Sequence, residues 1–197
     1  MILSQETRAL FFDDTQVVGC EDILNNVNQL ALFVGGTRSG KTDLATSWLG
    51  QFGQDSTYVA TLGSGEGDKE RVAKHRAQRP TWMDTLELKN GYELLELLEV
   101  AKKPMVIDSL GTWLVRFDDF AAPTKQLLEL LLAVKVPIAV VAELVGEGVH
   151  PLEITSRKFV DVLGEVTQEI RRLCSVAYLV VAGTTLILPE PQWNRRD

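Results

Sequence analysis

Cysteine is nearly missing from this chain of 197 residues: Cys20 and Cys174 are its whole complement, far apart and in no CxxC pattern. That excludes a disulfide framework and a thiolate metal knuckle, and it fits a reduced, cytosolic protein. Histidine is as scarce, with His75 and His150 alone. No apolar run reaches the ~18–20 residues that a membrane-spanning helix needs. The N-terminus, with Glu6, Asp13 and Asp14, lacks the basic-then-apolar order of a signal peptide. Basic charge is also in deficit, with 20 Lys and Arg against 27 Asp and Glu and a formal net charge of −7. A general nucleic-acid binder needs a basic face to displace counterions, so no nucleic-acid partner is expected. There is no internal repeat and no low-complexity segment. The expectation is a cytoplasmic protein without a membrane span.

What is present is ordinary globular material, 45% apolar and 24% charged, enough for one core. Residues 1–28 read as an N-terminal extension. In it Ala9-Leu10-Phe11-Phe12 and Gln16-Val17-Val18-Gly19 flank a polar turn, as in a short hairpin. The main pattern starts at Leu30-Ala31-Leu32-Phe33-Val34, a continuous apolar run such as a strand buried on both faces of a parallel sheet requires. Further strands are predicted over 57–60, 104–108, 137–142, 176–182 and 185–188. Helices are predicted over 41–49, 68–78, 91–101, 127–134 and 153–174. Strands alternating with helices predict an α/β fold, a mostly parallel sheet flanked by helices. The expected organisation is an extension over 1–28, one nucleotide-binding transferase domain over 29–188 and a loose tail over 189–197.

The first apolar run ends in Gly35-Gly36-Thr37-Arg38-Ser39-Gly40-Lys41-Thr42, which satisfies G-x-x-x-x-G-K-[ST]. A buried strand enters and a helix leaves, as the chemistry demands. The glycines let successive N–H groups curl around phosphate oxygens, helped by the helix N-terminus. Lys41 is placed to reach the β- and γ-phosphates, and the Thr42 hydroxyl to ligate Mg²⁺. The fold is therefore expected to be of the P-loop NTPase (RecA-like) type, with a nucleoside triphosphate as ligand. Asp108 closes the apolar strand Met105-Val106-Ile107, where such enzymes carry a metal-associated acid. Alternatively, Asp108 caps the turn that follows it.

The one dense basic cluster is Arg71-Val72-Ala73-Lys74-His75-Arg76-Ala77-Gln78-Arg79-Pro80. On a helix Arg71, His75 and Arg79 share a face. Flanking guanidinium groups depress an imidazole pKa and leave it a neutral nucleophile toward phosphorus, with cations ready for a departing pyrophosphate. Spacing alone equally allows a solvated basic face with an incidental histidine.

Taken together, these residues resemble the bifunctional adenosylcobinamide kinase / adenosylcobinamide-phosphate guanylyltransferase family of cobalamin biosynthesis. The similarity runs over about 30–188. The family loop G-G-x-R-S-G-K-S matches Gly35 to Thr42, including Arg38-Ser39, and the family's Y-[IV]-A-T is Tyr58-Val59-Ala60-Thr61. Its R-[IV]-x-x-H-[RK]-x-x-R-P is met by Arg71-Val72, His75-Arg76 and Arg79-Pro80. Thr85, Glu87, Asp108 and Thr112-Trp113 follow in the family's order.

The resemblance implies two reactions. Adenosylcobinamide is phosphorylated on its aminopropanol hydroxyl with ATP or GTP, and GMP is then passed from GTP to that phosphate. The GMP carrier implied is His75, with Lys41 as the second catalytic residue. Nucleotide contacts are implied for Gly35 to Thr42, for Ala60, Thr61 and Leu62, for Arg76, Ala77, Gln78 and Arg79, and for Glu87 and Asp108. Mg²⁺ falls to Thr42 and Asp108. A corrinoid is the implied acceptor, and a homo-oligomer, trimeric in the family's manner, the implied assembly. After the fourth strand the family reads N-E-x-G-x-G-[IV]-V-P, whereas the ungapped match here is Glu143-Leu144-Val145-Gly146-Glu147-Gly148-Val149-His150-Pro151. The family's Glu thus falls on Leu144, unless a one-residue slip returns it to Glu143. Arg157, Phe159, Asp161, Gly164 and Gln168 fit the next helix, while the family's Asn falls on Thr167. The family's tryptophan after R-P comes one place early, at Trp82. Competing readings are a P-loop enzyme with a single activity and a nucleotide-binding regulatory protein without turnover.

Overall fold

The apolar runs at 30–34, 105–107, 138–142 and 176–181 become inner strands of one sheet. In this computed structural model, residues 29–62, 81–148 and 151–190 are described. The elements are β1 (Leu30–Gly35), α1 (Lys41–Leu49), β2 (Ser56–Ala60), β3 (Met83–Glu87), α2 (Glu93–Glu99), β4 (Met105–Asp108), α3 (Leu110–Leu114), α4 (Thr124–Ala133), β5 (Ile138–Glu143), α5 (Ile154–Leu173), β6 (Val176–Val181) and β7 (Thr184–Leu188). The strands form a seven-stranded sheet in the order β3-β2-β4-β5-β1-β6-β7. Every pairing is parallel except the terminal β6–β7 hairpin, so the expected α/β class is what the chain adopts.

Helices cover both faces, which is why the inner strands need apolar side chains in both directions. Alternate residues of one strand enter different cores. Leu30, Leu32 and Val34 of β1 join Val59, Ile107 and Val140 beneath α2 to α5. Ala31 and Phe33 join Tyr58, Val106, Ala139 and Val141 beneath α1, through Ala45 and Leu49. Phe33 also stacks on Tyr178 at 4.9 Å between centroids, and burial pushes the Tyr178 hydroxyl pKa up. Burying one such large side chain contributes about 1.5–3 kcal/mol. α5 is long and two-faced: Leu163, Val166 and Ile170 recur at helical spacing on its buried side.

The expected helices over 41–49, 91–101, 127–134 and 153–174 all form, with α4 beginning earlier, behind Pro123. Two elements have no counterpart in the sequence reading. β3 reads Met-Asp-Thr-Leu-Glu and is largely exposed at the sheet edge, so it carries no apolar run to announce it. α3 spans only Leu110–Leu114, too short for a periodicity. The hairpin proposed within 1–28, the helix over 68–78, His150 and residues 191–197 of the tail lie outside the described residues.

Trp113 shows how the short helix is anchored. It is fully buried, meets the ring of Phe117 edge-on at 5.2 Å, and donates its indole N–H to the Gly91 carbonyl at 2.8 Å. Trp113→Phe keeps much of the ring volume and orphans that carbonyl, at a cost of about 1–3 kcal/mol. Urea unfolding should show a lower midpoint at an unchanged slope. An unchanged midpoint would mean that the hydrogen bond carries no net stability.

Candidate functional site

Parallel pairing brings the C-terminal ends of six strands, β1 to β6, to one edge, the position where ligands bind in open α/β sheets. Gly35 of β1 pairs with Glu143 of β5, and Ala60 of β2 pairs with Glu87 of β3 and Asp108 of β4. Residues remote in sequence therefore stand in one row.

The loop from Gly35 to Thr42 rises from this row and enters α1. Arg38 (φ 59°) and Gly40 (φ 92°) take left-handed backbone angles, which turn the chain into the helix. At Gly35 a side chain is impossible, because a β-carbon would lie 2.5 Å from the Val180 carbonyl oxygen and 2.6 Å from Ser39 Oγ. The β6–β7 turn braces the loop from outside: Gly183 donates its N–H to the Ser39 carbonyl at 2.8 Å. Thr37 and Arg38 are exposed, while Gly36, Gly40, Lys41 and Thr42 are half-buried. Ser39 is buried, and its hydroxyl has no hydrogen-bond partner among the described residues. A buried unpaired hydroxyl is costly, and a phosphate oxygen would satisfy it. Lys41 bends back over the loop and donates from Nζ to the Gly36 carbonyl at 3.0 Å.

Asp108 faces this loop. Its Oδ2 accepts from the Thr42 hydroxyl at 3.3 Å and from the Tyr58 hydroxyl. The cap of α3 is made instead by Ser109, whose N–H donates to the Thr112 hydroxyl at 3.1 Å in a capping box. Thr61 is buried beneath: its hydroxyl donates to the Ser109 carbonyl at 2.8 Å, accepts from the Ser109 N–H at 2.7 Å and also meets Thr112. Arg116 holds the Thr61 carbonyl from the far side. Ala60 is buried, Leu62 and Glu87 are half-buried, and all three sit along the same strand ends. The Thr61 N–H donates to the Asp108 carbonyl at 3.0 Å, so its hydroxyl, N–H and carbonyl all brace the strand ends.

Two further partners stand here: Tyr58, with no role of its own in the sequence reading, and Glu143, with one there only in the slipped register. Tyr58 is two residues before Ala60, hence on the same face of β2, and this spacing is the signal that could have placed it beside Asp108. Glu143 accepts from the Ser109 hydroxyl and from the Gly111 N–H at 3.0 Å. Leu144 follows with its own N–H on the Gly35 carbonyl at 3.0 Å. Of the two registers open in the sequence, it is Glu143 whose carboxylate reaches the strand-end row. His75, Arg76, Ala77, Gln78 and Arg79, with Arg71, lie outside the described residues.

A hydroxyl and a carboxylate beside a phosphate-binding loop fit Mg²⁺, which takes few protein ligands and fills its shell with phosphate oxygens and water. Among the described residues no group of three or more His, Cys, Asp or Glu forms a self-sufficient metal cage. No described helix is long and apolar enough to cross a membrane.

A family model described as cobinamide kinase / cobinamide phosphate guanyltransferase matches residues 31–188. The bifunctional adenosylcobalamin biosynthesis protein CobP of Pseudomonas aeruginosa is 36% identical over 169 residues, 81% of this chain and 95% of that protein. Among solved structures, a KaiC-like protein of Pyrococcus horikoshii aligns with a TM-score of 0.45 at 16% identity, over 78% of this chain and 71% of its own. An ATPase of a bacterial type III secretion system aligns with a TM-score of 0.48 at 11% identity, over 82% of this chain and 57% of its own.

Glu143→Ala would leave the Ser109 hydroxyl and the Gly111 N–H without their acceptor, at a cost of about 1–3 kcal/mol. The expected result is a lower urea midpoint together with slower phosphorylation of the acceptor. Wild-type values for both would remove Glu143 from the site.

Proposed function

We propose the following division of labour within this chain, which belongs to the cobinamide kinase / cobinamide phosphate guanyltransferase family. Membership makes it an adenosylcobinamide kinase and adenosylcobinamide-phosphate guanylyltransferase of cobalamin biosynthesis, with nucleotide and cobinamide as substrates. The observation that carries the assignment of residues is the meeting of Thr42 and Asp108 over the loop from Gly35 to Thr42.

In the kinase step the triphosphate of ATP or GTP lies in that loop. Its oxygens take the backbone N–H groups and the Ser39 hydroxyl, and Lys41 moves from the Gly36 carbonyl to the β- and γ-phosphates. Thr42 and Asp108 would hold Mg²⁺, whose charge neutralises the phosphates when bound. The acceptor hydroxyl attacks the γ-phosphorus; an O–P bond forms, the bridging P–O bond breaks, the hydroxyl proton is released to solvent and the nucleoside diphosphate leaves.

In the second step a ring nitrogen of His75 attacks the α-phosphorus of GTP and pyrophosphate departs. The phosphate oxygen of the phosphorylated acceptor then takes GMP from the histidine, breaking the P–N bond and freeing His75. Ala60, Thr61, Leu62, Glu87 and Arg76 to Arg79 complete the nucleotide contacts in this reading. The placement of Glu87 beside Ala60, in the same strand-end row as Asp108 on the far side of β2, supports its share.

The same reading takes 29–188 as the catalytic domain between an extension and a tail, and takes the location as cytoplasmic. It takes the assembly as a homo-oligomer, for which the exposed Leu186 and Ile187 on the edge strand β7 give support.

Lys41→Ala should abolish both reactions in coupled assays, and kinase turnover that survives would sink the loop assignment. Incubation with Mg²⁺ and GTP labelled at the α-phosphate should leave acid-labile, alkali-stable label on the denatured wild type and none on His75→Ala. Label that persists in the variant would move the carrier to another residue. No label on either protein, with GTP still bound, would remove the histidine route.

A further inference from the structure

Beside the phosphate loop, on the flank formed by α5, lie two adjoining cavities that the reaction scheme above leaves unused. The inner one, of about 210 Å³, is lined by Val34, Glu143, Leu144, Leu163, Gly164 and Thr167, among others. The outer one, of about 430 Å³, includes Phe120, Ser156, Phe159 and Val160 in its wall. Val145 belongs to both. Their α5 residues, Ser156, Phe159, Val160, Leu163, Gly164 and Thr167, recur three or four apart and so form one face of the helix. The loop after β5 makes the opposite wall.

We propose that this groove is the acceptor subsite, in which the edge of a corrin macrocycle and its amide arms lie against α5 with the reacting hydroxyl directed to Glu143. The proposal rests on the cobinamide reading above and adds to it where that substrate is held.

Four observations carry it. First, the groove leads to the chemistry. Glu143 lines its inner end, and the same carboxylate binds the Ser109–Gly111 turn that directly follows Asp108. The Phe159 ring lies against that turn as well, 3.2 Å from where a β-carbon on Gly111 would be. Second, the lining has the composition of an organic ligand's site rather than a nucleotide's. It joins apolar and aromatic side chains to a few hydroxyls, Ser156, Thr155 and Thr167, that can pair with amides. Its charged members, Glu143, Glu147 and Glu153, are all acidic. They would repel a triphosphate and suit a cationic cobalt macrocycle.

Third, a macrocycle too large for the cavities must rest partly outside, and apolar surface is exposed at the place where it would. Leu152 is 96% and Ile154 77% exposed, at the start of α5 and interleaved with the lining residues Pro151, Glu153 and Thr155. Fourth, the wall at Phe120 is held in a costly shape. Asp119 (φ 54°) and Phe120 (φ 57°) both take left-handed backbone angles without being glycine. An ion pair between Asp119 and Lys158 of α5, and a contact of the Phe120 and Phe159 rings at 5.4 Å, keep them there. Strain of this kind is retained at binding sites.

Gly164 provides the test. A β-carbon there would meet nothing within 4 Å, and leucine is the better helix former. Gly164→Leu should therefore fold and fill the groove. Ser156→Phe, on the half-buried rim of the outer cavity, is the second variant, and thermal melts followed by circular dichroism verify both.

In steady-state assays with adenosylcobinamide, the acceptor KM should rise at least about tenfold in Gly164→Leu, by the loss of shape fit. GTP affinity and the amount of α-phosphate label retained should stay within about twofold of wild type. Ser156→Phe should move the acceptor KM in the same direction. An unchanged acceptor KM in the folded variants would overturn the subsite. So would a parallel loss of GTP affinity, since the groove would then serve the nucleotide. Equilibrium dialysis of adenosylcobinamide against the wild type, read by its visible absorption, separates the two levels. If the wild type binds no corrinoid, the acceptor itself is misassigned and the subsite falls with it. If it binds and the variants bind equally well, only the subsite fails.

Discussion

The Val180 carbonyl comes so close to Gly35 that no side chain fits between them. That contact sets how far the phosphate loop can sink into the sheet, because β6 must pair with β1 right up to the point where β1 ends. With Gly35 seated, Ser39 folds in over it and Gly40 turns the chain into α1. The loop is then braced from two sides. The β6–β7 turn holds the Ser39 carbonyl, and Asp108 receives Thr42 from across the strand ends. A backbone shaped in this way before ligand arrives spends no binding energy on ordering itself, which is the advantage of preorganised N–H groups at a site for transferred phosphate.

Two carboxylates at the ends of neighbouring strands divide the site. Asp108 and Glu143 leave β4 and β5 and turn to different partners. Asp108 takes hydroxyls from Thr42 and Tyr58 and so belongs to the phosphate loop. Glu143 takes the Ser109 hydroxyl and the Gly111 N–H and so belongs to the turn and to the groove along α5. The Ser109–Gly111 turn lies between them, joined to Asp108 by the chain and to Glu143 by hydrogen bonds. A family of two reactions on one acceptor needs such an arrangement, since the acceptor must present first a hydroxyl and then a phosphate to groups held by the same strand ends.

Much of this was legible in the residues. Leu30-Ala31-Leu32-Phe33-Val34 fitted an inner strand, because a run apolar in both directions has to be covered on both faces, and the strand ends within the Gly-Gly that follows. The long helix α5 was legible through its leucine, valine and isoleucine spacing. β3 was not, since an exposed edge strand is under no pressure to be apolar. Asp108 could be read either as metal-associated or as a cap, and the structure gives the cap to Ser109 with Thr112. The shift between Glu143 and Leu144 was open in the same way, because one residue of slip leaves a motif readable in either register. In the structure it is the Glu143 carboxylate that meets the Ser109 hydroxyl and the Gly111 N–H, while Leu144 turns its own N–H to the Gly35 carbonyl.

The sequence by itself determined the local chemistry: the loop residues that can cradle phosphate, the strands that must be buried, the family to which the order of motifs belongs. Those are properties of short stretches, set by side-chain type and by steric limits on the backbone. Which distant groups face one another was decided by tertiary structure alone. Tyr58 beside Asp108, Val180 against Gly35, Phe159 against Gly111 and the groove between α5 and the loop after β5 all depend on strand order. Strand order follows from how the whole set of helices and strands packs, and no local stretch of the chain carries it.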